Sequence, residues 1–124
     1  MREFPLPQYK YVELGYASGL ETAECVPIAI VAFSTHRPAI VSGRLRSSLS
    51  RIPGLSGAAD ILIVEQAVRA FVEHVKENPS YVEIAMGWEN SIRVSPPQSL
   101  VSSDTEGKLD AIACAILGER GVPL

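Results

Sequence analysis

Residues that carry chemistry are scarce here: two histidines, two cysteines and one tryptophan in 124 residues. His36 stands in a turn and His74 inside a helical pattern. Neither is spaced from a serine so as to pair a nucleophile with a base, and no GxSxG occurs. The nearest histidine–carboxylate pair, Glu73-His74, diverges on a helix because neighbours in sequence point apart, so no metal site and no cofactor are expected. Cys25 and Cys114 lie in apolar patterns without CxxC spacing. They read as buried, reduced thiols of a cytoplasmic protein.

Long apolar runs are missing too. A helix that spans a bilayer needs roughly 18 apolar residues, and the richest stretch, "CVPIAIVAF", is long enough only for a strand. The opening "MREFPLPQYK" has no apolar core of a secretion signal. No membrane association is expected. Acidic residues are absent between positions 25 and 59, where Arg37, Arg44, Arg46 and Arg51 fall, although the net charge is −3. The remainder therefore carries all the negative charge. That overall balance argues against nucleic acid, which demands clustered cations to neutralise phosphate.

What is present is hydrophobic: 47% of the residues, with a mean hydropathy of +0.17. A chain of this length forms one domain, residues 1–124, with a core of its own. Pro5 and Pro7 mark residues 1–8 as a flexible arm. "YKYVELGY" alternates as a first strand. "TAECVPIAIVAF" is a second, apolar on both faces and therefore central, with a bulge or late start at Pro27. "AIVSGRL" is a third. A loop from Arg44 to Gly57 leads into a helix over residues 58–77, whose Ile61, Val64, Val68, Phe71, Val72 and Val75 recur at three- and four-residue spacing. "YVEIAMGW" reads as a fourth strand, with Val82, Ile84, Met86 and Trp88 inward, and "SIRV" as a fifth. The serine-rich loop after it reads as a connector. Pro96 and Pro97 block pairing there, and Ser103-Asp104-Thr105-Glu106 fits a capping box with Ser103 as cap. A last helix follows over residues 104–117, closed by Gly118.

The order predicts an α+β two-layer sandwich, a mainly antiparallel sheet of about five strands with two helices on one face. Two helices on one face leave the other bare. A bare apolar face favours a second copy or another protein as cover, and the uneven charge favours self-association or a charged partner. The expected function is a non-catalytic cytoplasmic interaction or regulatory domain, working as a homo-oligomer or with a partner protein. The alternative is a small anion- or nucleotide-handling enzyme built on the arginine loop, where Arg44, Arg46, Arg51 and Ser56 approach a helix N-terminus that attracts anions. Trp88 and Arg93 form a second candidate contact patch. The carboxylates Glu83, Glu89, Asp104, Glu106 and Asp110 need no catalytic role, since those near residue 104 suit the positive end of a helix.

"YKYVELGY", "CVPIAIVAF" and "ENSIRVSPPQSLVSSD" together resemble the small bacterial proteins of the domain-of-unknown-function 3037 family, with Glu24-Cys25 and Ile28-Ala29 standing where that family has Gly-Glu and Ile-Gly. The resemblance covers residues 9–117. It implies no established activity and assigns no catalytic residue.

Overall fold

The computed structural model describes residues 9–17, 25–34, 40–52, 55, 57–87, 91–100 and 104–124. Along the chain run β1 (Tyr9–Ala17), β2 (Cys25–Ser34), β3 (Val41–Leu45), a 3₁₀ turn (Leu49–Arg51), α1 (Ala58–Glu77), α2 (Tyr81–Ala85), β4 (Ile92–Val94), β5 (Gln98–Leu100), α3 (Thr105–Leu117) and β6 (Val122–Pro123). The fold is α+β, as expected: an antiparallel six-stranded sheet ordered β4-β1-β2-β3-β6, with β5 also on β1.

β2 is central, and its residues from Ile28 to Ser34 are all buried, which the unbroken apolar run requires. Pro27 lacks an amide hydrogen for the ladder. The register with β1 slips there: Leu14 faces Ala29, but Gly15 faces Pro27, so Ile28 is the extra residue of a bulge. Pro96 and Pro97 act in the same way on the neighbouring strand. β4 pairs with the second half of β1 (Leu14, Gly15, Tyr16) and β5 with the first half (Tyr9, Lys10, Tyr11). Between them Ser95 holds on to β1, accepting from Glu13 N at its Oγ (2.8 Å) and donating its own N–H to Glu13 O (2.9 Å).

The helices are distributed differently from the expected two-layer arrangement. α1 buries Val64, Val68, Phe71, Val72 and Val75 against Val12, Leu14, Ala29, Val31, Phe33 and Leu45. α3 lies on the opposite face, where Leu109, Ala113 and Leu117 pack on Ile30, Ala32 and Leu100, with Tyr9 and Tyr11 bordering them. Alternation along β2 explains the split: odd positions Ala29, Val31 and Phe33 face α1, while Ile30 and Ala32 face α3. The greasy flank that called for an outside cover is roofed by the chain's own last helix.

Residues 81–87 correct a second expectation; Trp88 lies outside the described residues. Tyr81–Ala85 is a helix, not a strand, with Val82 and Ala85 buried and Ile84 and Met86 exposed. The sequence Asn78-Pro79-Ser80 sets this: Pro79 has a helix-compatible φ, and Asn78 Oδ1 accepts from Ser80 N at 3.2 Å, closing a turn that starts a new helix. Tyr81 then packs on α1, its ring 6.0 Å from Phe71 and stacked 4.7 Å from His74. α3 is capped by Asp104, whose Oδ1 accepts from Gly107 N at 3.0 Å. The expected cap Ser103 lies outside the described residues, as do residues 1–8 and Trp88. At the other end Gly118 takes the left-handed φ of 76° and donates its N–H to Cys114 O. A second left-handed glycine, Gly121 (φ 74°), turns the chain into β6 along the edge of β3.

Candidate functional site

The arginine loop is where sequence reasoning placed an anion site, and the structure disposes of its charges one by one. Arg44 points from β3 to the α3 side and is 8% exposed. Its Nη2 donates to Glu106 Oε2 and to Asp110 Oδ1, each at 2.9 Å. Ser42 Oγ, two residues back on the same face, donates to the other oxygen of Glu106. Burial opposes the Arg44 charge, but the bonds to Glu106 and Asp110 outweigh it and hold the guanidinium above its ordinary pKa. The bonds from Ser42 and then Arg44 pull the Glu106 carboxyl below the usual range.

Arg46 is tied into the chain in its turn. It donates to Pro27 O at 3.2 Å and Ser48 Oγ at 3.3 Å. Glu119, just past α3, accepts from the Ser47 amide and hydroxyl and from Ser48 Oγ, and the Ser47 bonds chiefly lower its pKa. Arg51 sits exposed on the 3₁₀ turn, and Ser56 lies outside the described residues. The structure does not bring these arginines together around a ligand. The basic middle and acidic remainder meet inside one chain, where Glu106, Asp110 and Glu119 clamp α3 and its exit onto β3 and the loop after it.

Arg93, the described half of the second predicted patch, lines a cleft of about 210 Å³ with Glu13, Gly15, Cys25 and Ser95 on the α3 side of the sheet. Cys25 corrects the expectation of buried thiols: both cysteines are exposed. The Cys25 sulfur nonetheless lies against Gly15, where a Cβ would collide with it. Desolvation raises its pKa, Arg93 lowers it and Glu13 raises it, the net effect being upward. A thiol held protonated in this way is the opposite of an activated nucleophile. Among the described residues no cluster of histidine, cysteine and carboxylate could hold a metal ion, and no helix is long and apolar enough to cross a membrane.

A cleft of about 360 Å³ lies elsewhere, between the first half of α1 and the end of the sheet where β1 meets β4. Asp60, Ile63, Val64 and Ala67 form its α1 wall; Tyr16, Ser91 and Ile92 form the sheet wall; Leu55 closes one end. Its lining is mainly apolar, and among the described residues Asp60 is the single charged side chain in it. Ile63 is 63% exposed. Asp60, Ile63 and Ala67 begin a three-four spaced stripe on α1 that continues through Ala70 to His74, the residue stacked on Tyr81 of α2. The cleft and α2, with its exposed Ile84 and Met86, therefore lie along the same flank of α1. Sequence reasoning missed this site. One signal was available: Leu62 and Ile63 fall outside the buried stripe of α1, and the pattern gave them no core partner. No protein-family model, curated protein or solved structure matches this chain.

Proposed function

We propose that this chain is a non-catalytic interaction or regulatory domain of the cytoplasm that works by seating another polypeptide, a second copy or a partner protein, against the cleft between α1 and β4. The observation that carries this reading is the cleft itself. An apolar concavity of about 360 Å³ has a large apolar side chain, Ile63, left in water at its wall. Apolar surface of that kind marks contact sites. The support comes from this flank of α1, since α3 already covers the sheet face that first suggested a partner. The reading of the arginine loop as an anion- or nucleotide-handling site gains nothing from the structure, because Arg44 and Arg46 are spent on the chain's own acceptors.

A photo-crosslinker placed at Ile63, and at Gln66 as control, tests the reading in cells. Crosslinks to one defined species from position 63 only, lost when Ile92 is replaced by Glu in a chain that still folds, support it. Equal crosslinking from both positions, or none at position 63, refutes it.

A further inference from the structure

The two apolar clusters of the fold share no residue. One lies on the α1 side of the sheet; the other consists of Ile30, Ala32 and Leu100 under Leu109, Ala113 and Leu117 of α3. The backbone of the sheet runs between them, and the ladders that join β1 to β2, β4 and β5, and β2 to β3, use no residue of α3. α3 also closes its own ends. Asp104 Oδ1 accepts from Gly107 N and Gly118 N donates to Cys114 O, so these caps need nothing from the sheet. Three of its side chains are buried, one of them an alanine, against five on α1. Its polar ties are of the kind that water replaces at small cost. Glu106 and Asp110 are 62% and 40% exposed, and Arg44 would regain the hydration that burial denies it. Glu119 and β6 lie past Gly118 and stay with β3, where Leu124 packs on the first cluster.

We infer that α3 is a lid: it lifts from the sheet as an intact helix, tethered through β5 and β6, while the α1 side of the molecule stays folded. The movement breaks one small apolar cluster and the contacts of Arg44. Unfolding breaks the larger cluster and the sheet as well, so the lid belongs at the low end of the opening free energies that a domain spans. Lifting bares Ile30 and Ala32 in the middle of the sheet, with Tyr9 and Tyr11 at their border. The chain therefore holds a second apolar face, covered in the closed form and separate from the cleft beside α1.

Native-state hydrogen exchange of the ¹⁵N-labelled full chain, followed by NMR in increasing sub-denaturing urea, tests this. The interior amides of α3, from Leu109 to Leu117, should share one opening constant, at least about tenfold larger than that of the α1 amides from Val68 to Val75. Their urea slope should lie above zero and below the global one, because lifting exposes part of the surface that unfolding exposes. Two variants separate the lid from the rest. Val68→Ala weakens the larger cluster, which survives lid opening, so it should speed exchange in α1 about tenfold and leave α3 within about twofold. Leu109→Ala removes packing that is lost in the lifted and the unfolded forms alike, so it should speed both helices by the same factor. Equal acceleration of α3 and α1 by Val68→Ala overturns the inference, since α3 would then move only with the whole fold. An α3 rate unmoved by Leu109→Ala overturns it too, and so do α3 amides that each exchange at their own rate with no urea slope, which would mean fraying in place. The slopes of the parent chain need no variant and decide the matter alone if Val68→Ala does not fold: equal constants and equal slopes for the two helices refute the lid.

Discussion

Replacing the Arg44 cluster in different combinations should give an order of stabilities that a simple count of ion pairs would not. Arg44 is nearly dry, its side chain 10% exposed, whereas Glu106 and Asp110 are 62% and 40% exposed. In Arg44→Met the aliphatic stem is kept and the carboxylates turn into water. Each lost contact then costs no more than about 1 kcal/mol, as for exposed pairs, and the variant loses about 1–2 kcal/mol. Glu106→Met with Asp110→Leu removes the other side. The guanidinium is then left charged between β3 and α3, with Gly43 O at 3.4 Å as its remaining contact. Uncompensated buried charge costs more, about 3 kcal/mol or above. The triple variant, apolar throughout, should return to within about 1 kcal/mol of the parent. Urea unfolding followed by far-UV circular dichroism resolves these differences; each kcal/mol also moves the thermal midpoint by about 4 °C. If replacing the two acids costs less than Arg44→Met, or if the triple variant is as unstable as the sum of its parts, the burial argument is wrong.

Three further outcomes follow from the same contacts. Asp104→Ala should destabilise by about 1 kcal/mol in the same urea assay, since Asp104 Oδ1 caps the Gly107 amide. Glu106 and Glu119 have folded pKa values below their unfolded ones. Their contribution is therefore complete above the unfolded value of about 4.3 and is lost as pH falls through the folded values. A pH series of midpoints should decline below about pH 4.3, and the decline should be shallower in Glu119→Gln. Both thiols should react with an aromatic disulfide in the native state at mildly alkaline pH; protection of either thiol would contradict the exposure described.

The sequence revealed the central strand well, because nothing but burial on both faces explains "CVPIAIVAF". It also revealed α1, the glycine at the end of α3 and an irregularity at Pro27, where of a bulge and a late start the bulge is found. The alternation Val82, Ile84, Met86 was misleading, because Asn78-Pro79-Ser80 starts a helix and the buried pair becomes Val82 and Ala85. The distribution of helices was hidden for a topological reason. α1 carries the chain from β3 on one side of the sheet to β4 on the other, and α3 carries it back from β5 to β6. Each return needs a face of its own, but β5 and β6 are three and two residues long and give no periodic signal. The arginines were visible as a basic block. Which carboxylates would neutralise Arg44 depended on contacts 62 and 66 residues away in the chain. The cleft was legible only as the unassigned pair Leu62-Ile63.

α3 and β6 follow every strand they cover, which bears on how the protein is made. As the ribosome releases the chain, β1 to β5 can assemble on α1 while Ile30, Ala32 and Leu100 still look onto water. Those side chains stay naked until Leu109, Ala113 and Leu117 clear the exit tunnel. At the pace of translation that interval is seconds long, time in which a chaperone, or a sister nascent chain, competes for the vacancy that the polypeptide's own final helix is meant to fill.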